Sequence, residues 1–441
     1  MRFCTRVIAD DIAFVESPCF IEKCQRISDN HFTRRRKMPL DTLILTMLNR
    51  RGRTLAIELR DFEVLTGMEQ KISKAGYLKQ RMKLDPKAIK DLNKFHISNT
   101  YRNTDMKDLK GYYVIAADGT KISVPSTKET VNEYGLGTNQ HQKTQAVLAG
   151  ISGIYDVMNN VLLSCTITRG NHNEMKEAYN QLDDLPDVIG DKMFILVLDR
   201  GYPSLPYLLK MKNSGQKFVV RLSSVDYPKE QQSMASDDEQ VNIQINCSRM
   251  QKHRGKSYEQ ELLDAGSLML RFIKIHLDNG VIECIATNLT ETEFSTEEVG
   301  RIYSMRWGIE TVYDMLKNNL ELGNFTGTKP ILIEQDIYSC VYLCNLAQDI
   351  IIQAEEDRKK KEDNKKYKHE MAINKTYAVG VMKEGLIRAI LEKDPDKKRK
   401  MFMDMISEIQ SNILPVRPGR QYERITKNKN GKYYNTHKRA Y

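Results

Sequence analysis

The chain has no CxxC pair and no uninterrupted apolar run of bilayer-spanning length, and it holds one tryptophan in 441 residues. Without close, regular ligand spacings its eight cysteines do not read as a zinc site. Cys340 and Cys344, four apart in an apolar stretch, read as small core residues. Reduced thiols suit the cytoplasm. Lacking an apolar run of roughly 18 residues or more, the chain offers no membrane helix. The opening "MRFCTRVIADDIAF" places acids where a secretory signal needs an apolar centre. A cytoplasmic protein with no membrane partner is expected.

With 40% hydrophobic and 29% charged residues, the chain is globular and long enough for two or three domains. Negative charge is in deficit: the net charge is +10. Such an excess favours an anionic partner, most commonly nucleic acid. The excess is uneven. From Pro415 to Tyr441, eight cations, among them Arg417, Arg420 and Arg424, face Glu423 alone, with Tyr422, Tyr433, Tyr434 and Tyr441 interleaved. A tail of this kind neutralises phosphates and stacks on bases, or else only solubilises the chain. A second basic cluster is Arg34, Arg35, Arg36 and Lys37.

The periodicity divides the chain. Residues 1–105 read as helical, with Pro39 opening an apolar helix that ends over Asn49–Gly52, and Thr54 capping the next. The pair is either a helix-turn-helix or a plain helical hairpin. From 106 to 222 the pattern is that of an α/β core. "YYVIAADG" reads as a buried strand ending at Asp118-Gly119, followed by a second strand, "KISVP". Two more strands flank the turn pair Asn159-Asn160. "NHNEMKEAYNQLDDL" starts a helix capped by Asn171 or Asn173, and "KMFILVLD" is a continuous apolar strand of the kind buried on both faces. Residues 223–288 form a β-rich insertion. The core resumes over 289–350, and 351–441 is helical and then basic.

"IYSMRWGIETVYDMLKNNL", Ile302 to Leu320, reads as an amphipathic helix. Ile302, Met305, Ile309, Val312, Leu316 and Leu320 make its core stripe. Tyr303, Arg306, Glu310 and Lys317 fall within about 60° of one another on a neighbouring stripe. Alone, this is as well explained by a solvated face with an Arg306–Glu310 ion pair worth a few tenths of a kcal/mol. Asp118 and Asp199, each closing a buried strand, have their own bland reading as turn residues. The three acids together read differently. Ligands gather beyond the carboxyl ends of strands in α/β sheets, and three carboxylates without His or Cys suit Mg²⁺ or Mn²⁺. Two such ions about 4 Å apart support in-line phosphoryl transfer, with Arg306 and Lys317 placed for the phosphodiester.

These residues resemble a known family. Tyr303-x2-Arg306-x3-Glu310-x6-Lys317 is similar to the Y-R-E-K signature of bacterial insertion-sequence transposases of the DDE class. "AADGTKISVP" and "LVLDRGYPS" resemble that family's two aspartate segments, and the similarity runs over about 30 to 345. The resemblance implies an RNase H-like catalytic core interrupted by an all-β insertion and flanked by helical regions. It implies metal-dependent cleavage at transposon ends and strand transfer into target DNA. Asp118, Asp199 and Glu310 would be the catalytic metal ligands, for Mg²⁺ with Mn²⁺ as substitute. Tyr303, Arg306 and Lys317 would contact double-stranded DNA, with Trp307 and the two basic clusters as further contacts. It also implies a homodimer in the DNA complex and a nucleoid-associated protein. Some members place a tryptophan in the insertion for a flipped base. Here Trp307 lies in the glutamate helix, which leaves a hairpin intermediate open; another aromatic in the insertion, such as Phe272, could substitute, though nothing in the sequence singles it out. The rival readings are a structure-selective nuclease on the same core and a catalytically silent DNA-binding derivative. Inverted repeats around the gene would favour the mobile element.

Overall fold

A computed structural model of the chain describes residues 3–34, 37–68, 71–137, 145–277, 280–361 and 367–416. Its centre is a nine-stranded sheet. In chain order the strands are β1 (Tyr113–Ser123), β2 (Leu136–Gly137), β3 (Ala146–Asp156), β4 (Val161–Arg169), β5 (Phe194–Leu198), β6 (Lys217–Leu222), β7 (Asp238–Gln244), β8 (Ser267–His276) and β9 (Ile282–Thr287). β4, β3, β1, β5 and β6 lie side by side, β3 antiparallel to both neighbours and β1, β5 and β6 parallel. This is the RNase H-like order the resemblance implies. β5 is the apolar strand read from the sequence. Ile195 and Val197 are buried on one face, and Leu196 and Leu198 on the other.

Two sequence expectations change. Asp118-Gly119 is not a hairpin turn, because β1 runs unbroken through it and pairs with β3 as far as Ser123. The alternation after Gly119 is the same strand half out of the core. The insertion is likewise more than an all-β block. β9 pairs antiparallel with β6, so β9, β8 and β7 prolong the central sheet. It also carries three short helices, Pro228–Ser233, Cys247–Met250 and Glu259–Ala265. Phe272 is wholly buried on β8, so it is no candidate for stacking a base.

Helices cover both faces. Glu174–Leu182 (capped by Asn173), Pro186–Ile189 and Leu205–Asn213 pack on one. The other face carries the continuation of the core. Helix Pro330–Lys361 crosses the expected 350/351 border without a break. Its apolar side enters the core, and Asn345 fixes it to β4, accepting from Leu162 N at 2.8 Å and donating to Leu162 O at 3.0 Å. The N-terminal helices Leu40–Leu48 and Leu55–Thr66 form as read, the second with Thr54 at its N-cap position but without a side-chain cap bond. A fully buried ion pair, Arg81–Asp336 at 2.9 Å, ties this region to the long helix. Arg34 and Lys37 are exposed. Arg35, Arg36, Arg417, Arg420 and Arg424 lie outside the described residues. Among the described residues no helix is long and apolar enough to cross a membrane.

Candidate active site

The stretch from Ile302 to Leu320 is not one regular helix. It comprises Thr296–Ser304, then Trp307–Asp314, then a π-helical turn, Met315–Asn319. The break at Met305–Arg306 lets the two halves pack separately. Ile302 and Tyr303 join Val197 and Val219 over β5 and β6. Ile309, Val312 and Leu316 join the core beneath β1 and β3. Burying each such aliphatic chain is worth about 1.5–3 kcal/mol, against a few tenths for an exposed ion pair. Packing therefore sets the position of this segment, and the polar stripe is carried with it.

The stripe meets the sheet where neighbouring strands end unequally. The last β1–β5 pair is Ala117 with Leu198. Beyond it β1 continues alone on that side, so Asp118 and Asp199 stand next to the step. Tyr313, three residues after Glu310, donates from its hydroxyl to Asp118 O at 2.7 Å. That approach needs Gly153, the β3 partner of Asp118, since a β-carbon there would stand 2.7 Å from the Tyr313 hydroxyl. Lys317 donates to Thr120 on the same strand.

Arg306 occupies the middle of the group. Its guanidinium donates to Glu310 Oε1 at 3.1 Å and is 4% exposed. Burial disfavours its charge, but Tyr303, Asp199 and Glu310 more than compensate and raise its pKa. Its Nε has no hydrogen-bond partner among the described residues. Tyr303 donates to Asp199 Oδ1 at a long 3.4 Å, and burial raises its pKa. The Asp118 carboxyl is pushed up to about 6, first by burial. The Gly119 N–H, donating at 2.8 Å, and Arg306 pull it down, while Glu310 and Glu174 push it up. Trp307 is half-exposed, with the Arg306 guanidinium 4.6 Å from its ring.

The structure thus brings all six expected residues to one cleft, but with a difference. Among the described residues no three His, Cys, Asp or Glu side chains form a ready ion cage. The acids gather around the Arg306 guanidinium rather than around one another, because carboxylates at close range repel unless a cation lies between them. The donor set, carboxylate oxygens alone, still fits a hard divalent cation. Sequence reasoning missed three further groups. Arg221, the cation inside the apolar run "FVVRL" of β6, faces Tyr303 electrostatically and pairs with Glu283 at 2.9 Å. Tyr202 and Glu174 also border the cleft. The first left a visible mark, a charge in an apolar strand. The other two left none beyond proximity to Asp199 and a helix start.

Residues 109–346 match the family model described as the transposase DDE domain. The chain belongs to the transposase DDE domain family. As a DDE transposase it cleaves DNA and carries out strand transfer, and the family uses divalent metal. The matched span contains Asp118, Asp199 and Glu310. Over 425 residues this transposase is 21% identical to transposase InsG of insertion sequence IS4 from Escherichia coli K12, covering 94% of this chain and 91% of InsG. It is 26% identical over 140 residues to the transposase of IS421 from Escherichia coli, 32% of each chain. A solved structure of the piggyBac transposase synaptic complex with hairpin DNA aligns over 94% of this chain and 87% of that one, at a TM-score of 0.46 and 10% identity.

Proposed function

We propose that this transposase cuts at the ends of its own insertion sequence and joins them to target DNA through the cleft formed by Asp118, Asp199 and Glu310. The observation that carries the reading is the state of Arg306. It is a buried guanidinium that gathers the acids and keeps one N–H without a partner. An unpaired buried donor is costly, and a phosphate oxygen is the acceptor that Arg geometry matches best. DNA entering the cleft therefore has a fixed docking point. As Arg306 turns to the phosphate, its hold on Glu310 loosens and the carboxylates are left to bind cation.

Asp118, Asp199 and Glu310 are the residues that would hold Mg²⁺, or Mn²⁺ in its place. The chemistry a pair of such ions supplies is activation of a water or 3′-hydroxyl and stabilisation of the leaving oxygen. Tyr303 and Lys317 flank the scissile phosphate as hydroxyl donor and point charge, completing a Y-R-E-K arrangement. Trp307, exposed beside Arg306, gives a base a stacking face. Two copies acting as a homodimer hold the two ends in a cut-and-paste reaction, in the cytoplasm at the nucleoid. Glu310→Gln tests the site: it keeps end binding and abolishes both cleavage and joining. Joined product at the wild-type rate would remove Glu310 from the chemistry.

A further inference from the structure

We propose that the loop of the insertion from Arg249 to Lys256 is a phosphate-binding surface for duplex DNA, separate from the catalytic cleft. The inference rests on the reading of the chain as a transposase that handles DNA, and not on the three-acid site.

From Cys247 to Tyr258 the sequence "CSRMQKHRGKSY" holds four cations and no acid. It joins the short helices Cys247–Met250 and Glu259–Ala265. A solvated turn balanced by neighbouring acids would be the bland account, and the charges do not balance in that way. Arg249 is committed to the fold. It donates to Gln244 O and to Glu230 Oε2, both at 2.7 Å, and lies 5.4 Å from the centre of the Tyr227 ring. Lys252, Arg254 and Lys256 are exposed, with no ion-pair partner among the described residues. Glu230 is taken up by Arg249, and the next acid along the chain, Glu259, accepts from Gly255 N at 2.6 Å. The surface is left positive.

The loop is also built rather than loose. His253 N donates to Met250 O at 2.9 Å, Lys256 N to His253 O at 3.2 Å and Glu259 N to Lys256 O at 3.0 Å. Gly255 supplies the left-handed turn at φ +70°, where a side chain would be strained. The His253 ring rests against Tyr258, 5.7 Å between centres, and Met250 and Leu262 are buried at the two ends. Ordering done in advance lowers the entropic cost of binding. Arg suits bidentate phosphate contact and Lys acts as a point charge.

Position separates this surface from the cleft. Met250 and Leu262 enter the same core as Leu208 and Leu209 of helix Leu205–Asn213. Ile302 and Ile309, on the segment that carries Glu310, enter the cores of the opposite sheet face. The phosphates the loop takes are therefore not the scissile one. Phosphate contacts carry no sequence information, so the loop grips any duplex.

The test measures binding of the full-length chain to labelled duplexes by fluorescence anisotropy, in chelator, over a range of salt. One duplex carries a transposon end and the other is unrelated and of equal length. The triple variant Lys252→Gln, Arg254→Gln, Lys256→Gln should make the slope of log affinity against log salt shallower on both, by about 2.7 at 0.9 per phosphate. Its melting temperature should be unchanged. Lys252→Arg with Lys256→Arg should keep the slope. So should Lys393→Gln, Lys397→Gln, Lys400→Gln, which removes three exposed cations elsewhere. An unchanged slope in the loop variant overturns the proposal. So does an equal loss in the second triple variant, which would make the effect one of bulk charge, or a loss confined to the end duplex. Wild-type binding insensitive to salt on both duplexes would overturn the DNA reading with it.

Discussion

Asp118→Asn should make the cation-free protein more stable at neutral pH, by an amount the site itself sets. The Asp118 carboxyl has an ordinary value of 3.8 and is pushed up to about 6 in the fold. Between those values the folded state binds the extra proton, so wild-type stability falls as pH rises. Above pH 6 the ionised carboxylate carries the full cost. Below pH 4 it is protonated in both states and the cost is gone. Moving the carboxyl from 3.8 to about 6 corresponds to about 3 kcal/mol. Solvent reaches part of this group, which brings the expected figure to about 1–2 kcal/mol. Asparagine mimics the protonated acid in shape and charge, so the substitution recovers that amount at high pH and little at low pH. The assay is urea denaturation of both proteins in chelator at pH 7.5 and near pH 4. The mutant should be the more stable at pH 7.5, and the two midpoints should converge near pH 4. Equal stabilities at pH 7.5, or a gap that persists unchanged in acid, would refute the reasoning. The lost attraction to Arg306 is already contained in this figure.

Adding Mn²⁺ should reverse that ranking, since a ligand bound only by the folded state stabilises it by mass action. Wild type should gain stability with Mn²⁺ concentration and Asp118→Asn should not, and a parallel gain would place the ion elsewhere. Arg81→Ala should cost about 3 kcal/mol in denaturant unfolding, because it removes the nearer of two cations on the buried Asp336, Arg81 at 2.9 Å, and leaves Arg50 at 3.4 Å. A loss under 1 kcal/mol would show that the pair is dispensable. Trp307→Ala should weaken binding to an end substrate by about 1–3 kcal/mol, the worth of one stacked base, with the melting temperature unchanged. Undiminished affinity would leave Trp307 off the DNA path. Deleting residues 417–441 should make the salt dependence of DNA binding shallower, by about 0.9 in slope for each phosphate the tail neutralises. An unchanged slope would assign the tail no phosphate contacts.

The legible parts of this molecule are those where a local pattern and the global fold agree. The β5 run "FILVL" has no polar residue because both its faces are covered, and Asn173 caps a helix exactly as short-range rules expect of it. The stripe from Ile302 to Leu320 was legible for a different reason: hydrophobic spacing survives a break, provided each half has a core to enter. The break itself was not legible. Nothing in "YSMRWG" marks it except Gly308, and it arises because β5–β6 and β1–β3 offer two separate surfaces. Asp118-Gly119 misled in the opposite direction. The dipeptide has strong turn chemistry, but nine consecutive pairings with β3 outweigh a local preference.

Glycine is what hides the remaining parts of the site from sequence reading. Gly153 matters through an atom it lacks, which admits the Tyr313 hydroxyl. A motif search scores the residues that reach into a site and passes over those that leave room. The same holds for Arg306. On the helical wheel it is half of an i,i+4 pair of little consequence. In the fold it is a buried cation shared by Glu310, Asp199 and Tyr303, and the sheet, some hundred residues away in sequence, supplies the Asp199 charge. Its chemistry follows from that sharing. A guanidinium fully satisfied by one carboxylate would have no reason to let go, whereas one stretched over several acids with an N–H to spare exchanges them readily for a phosphate.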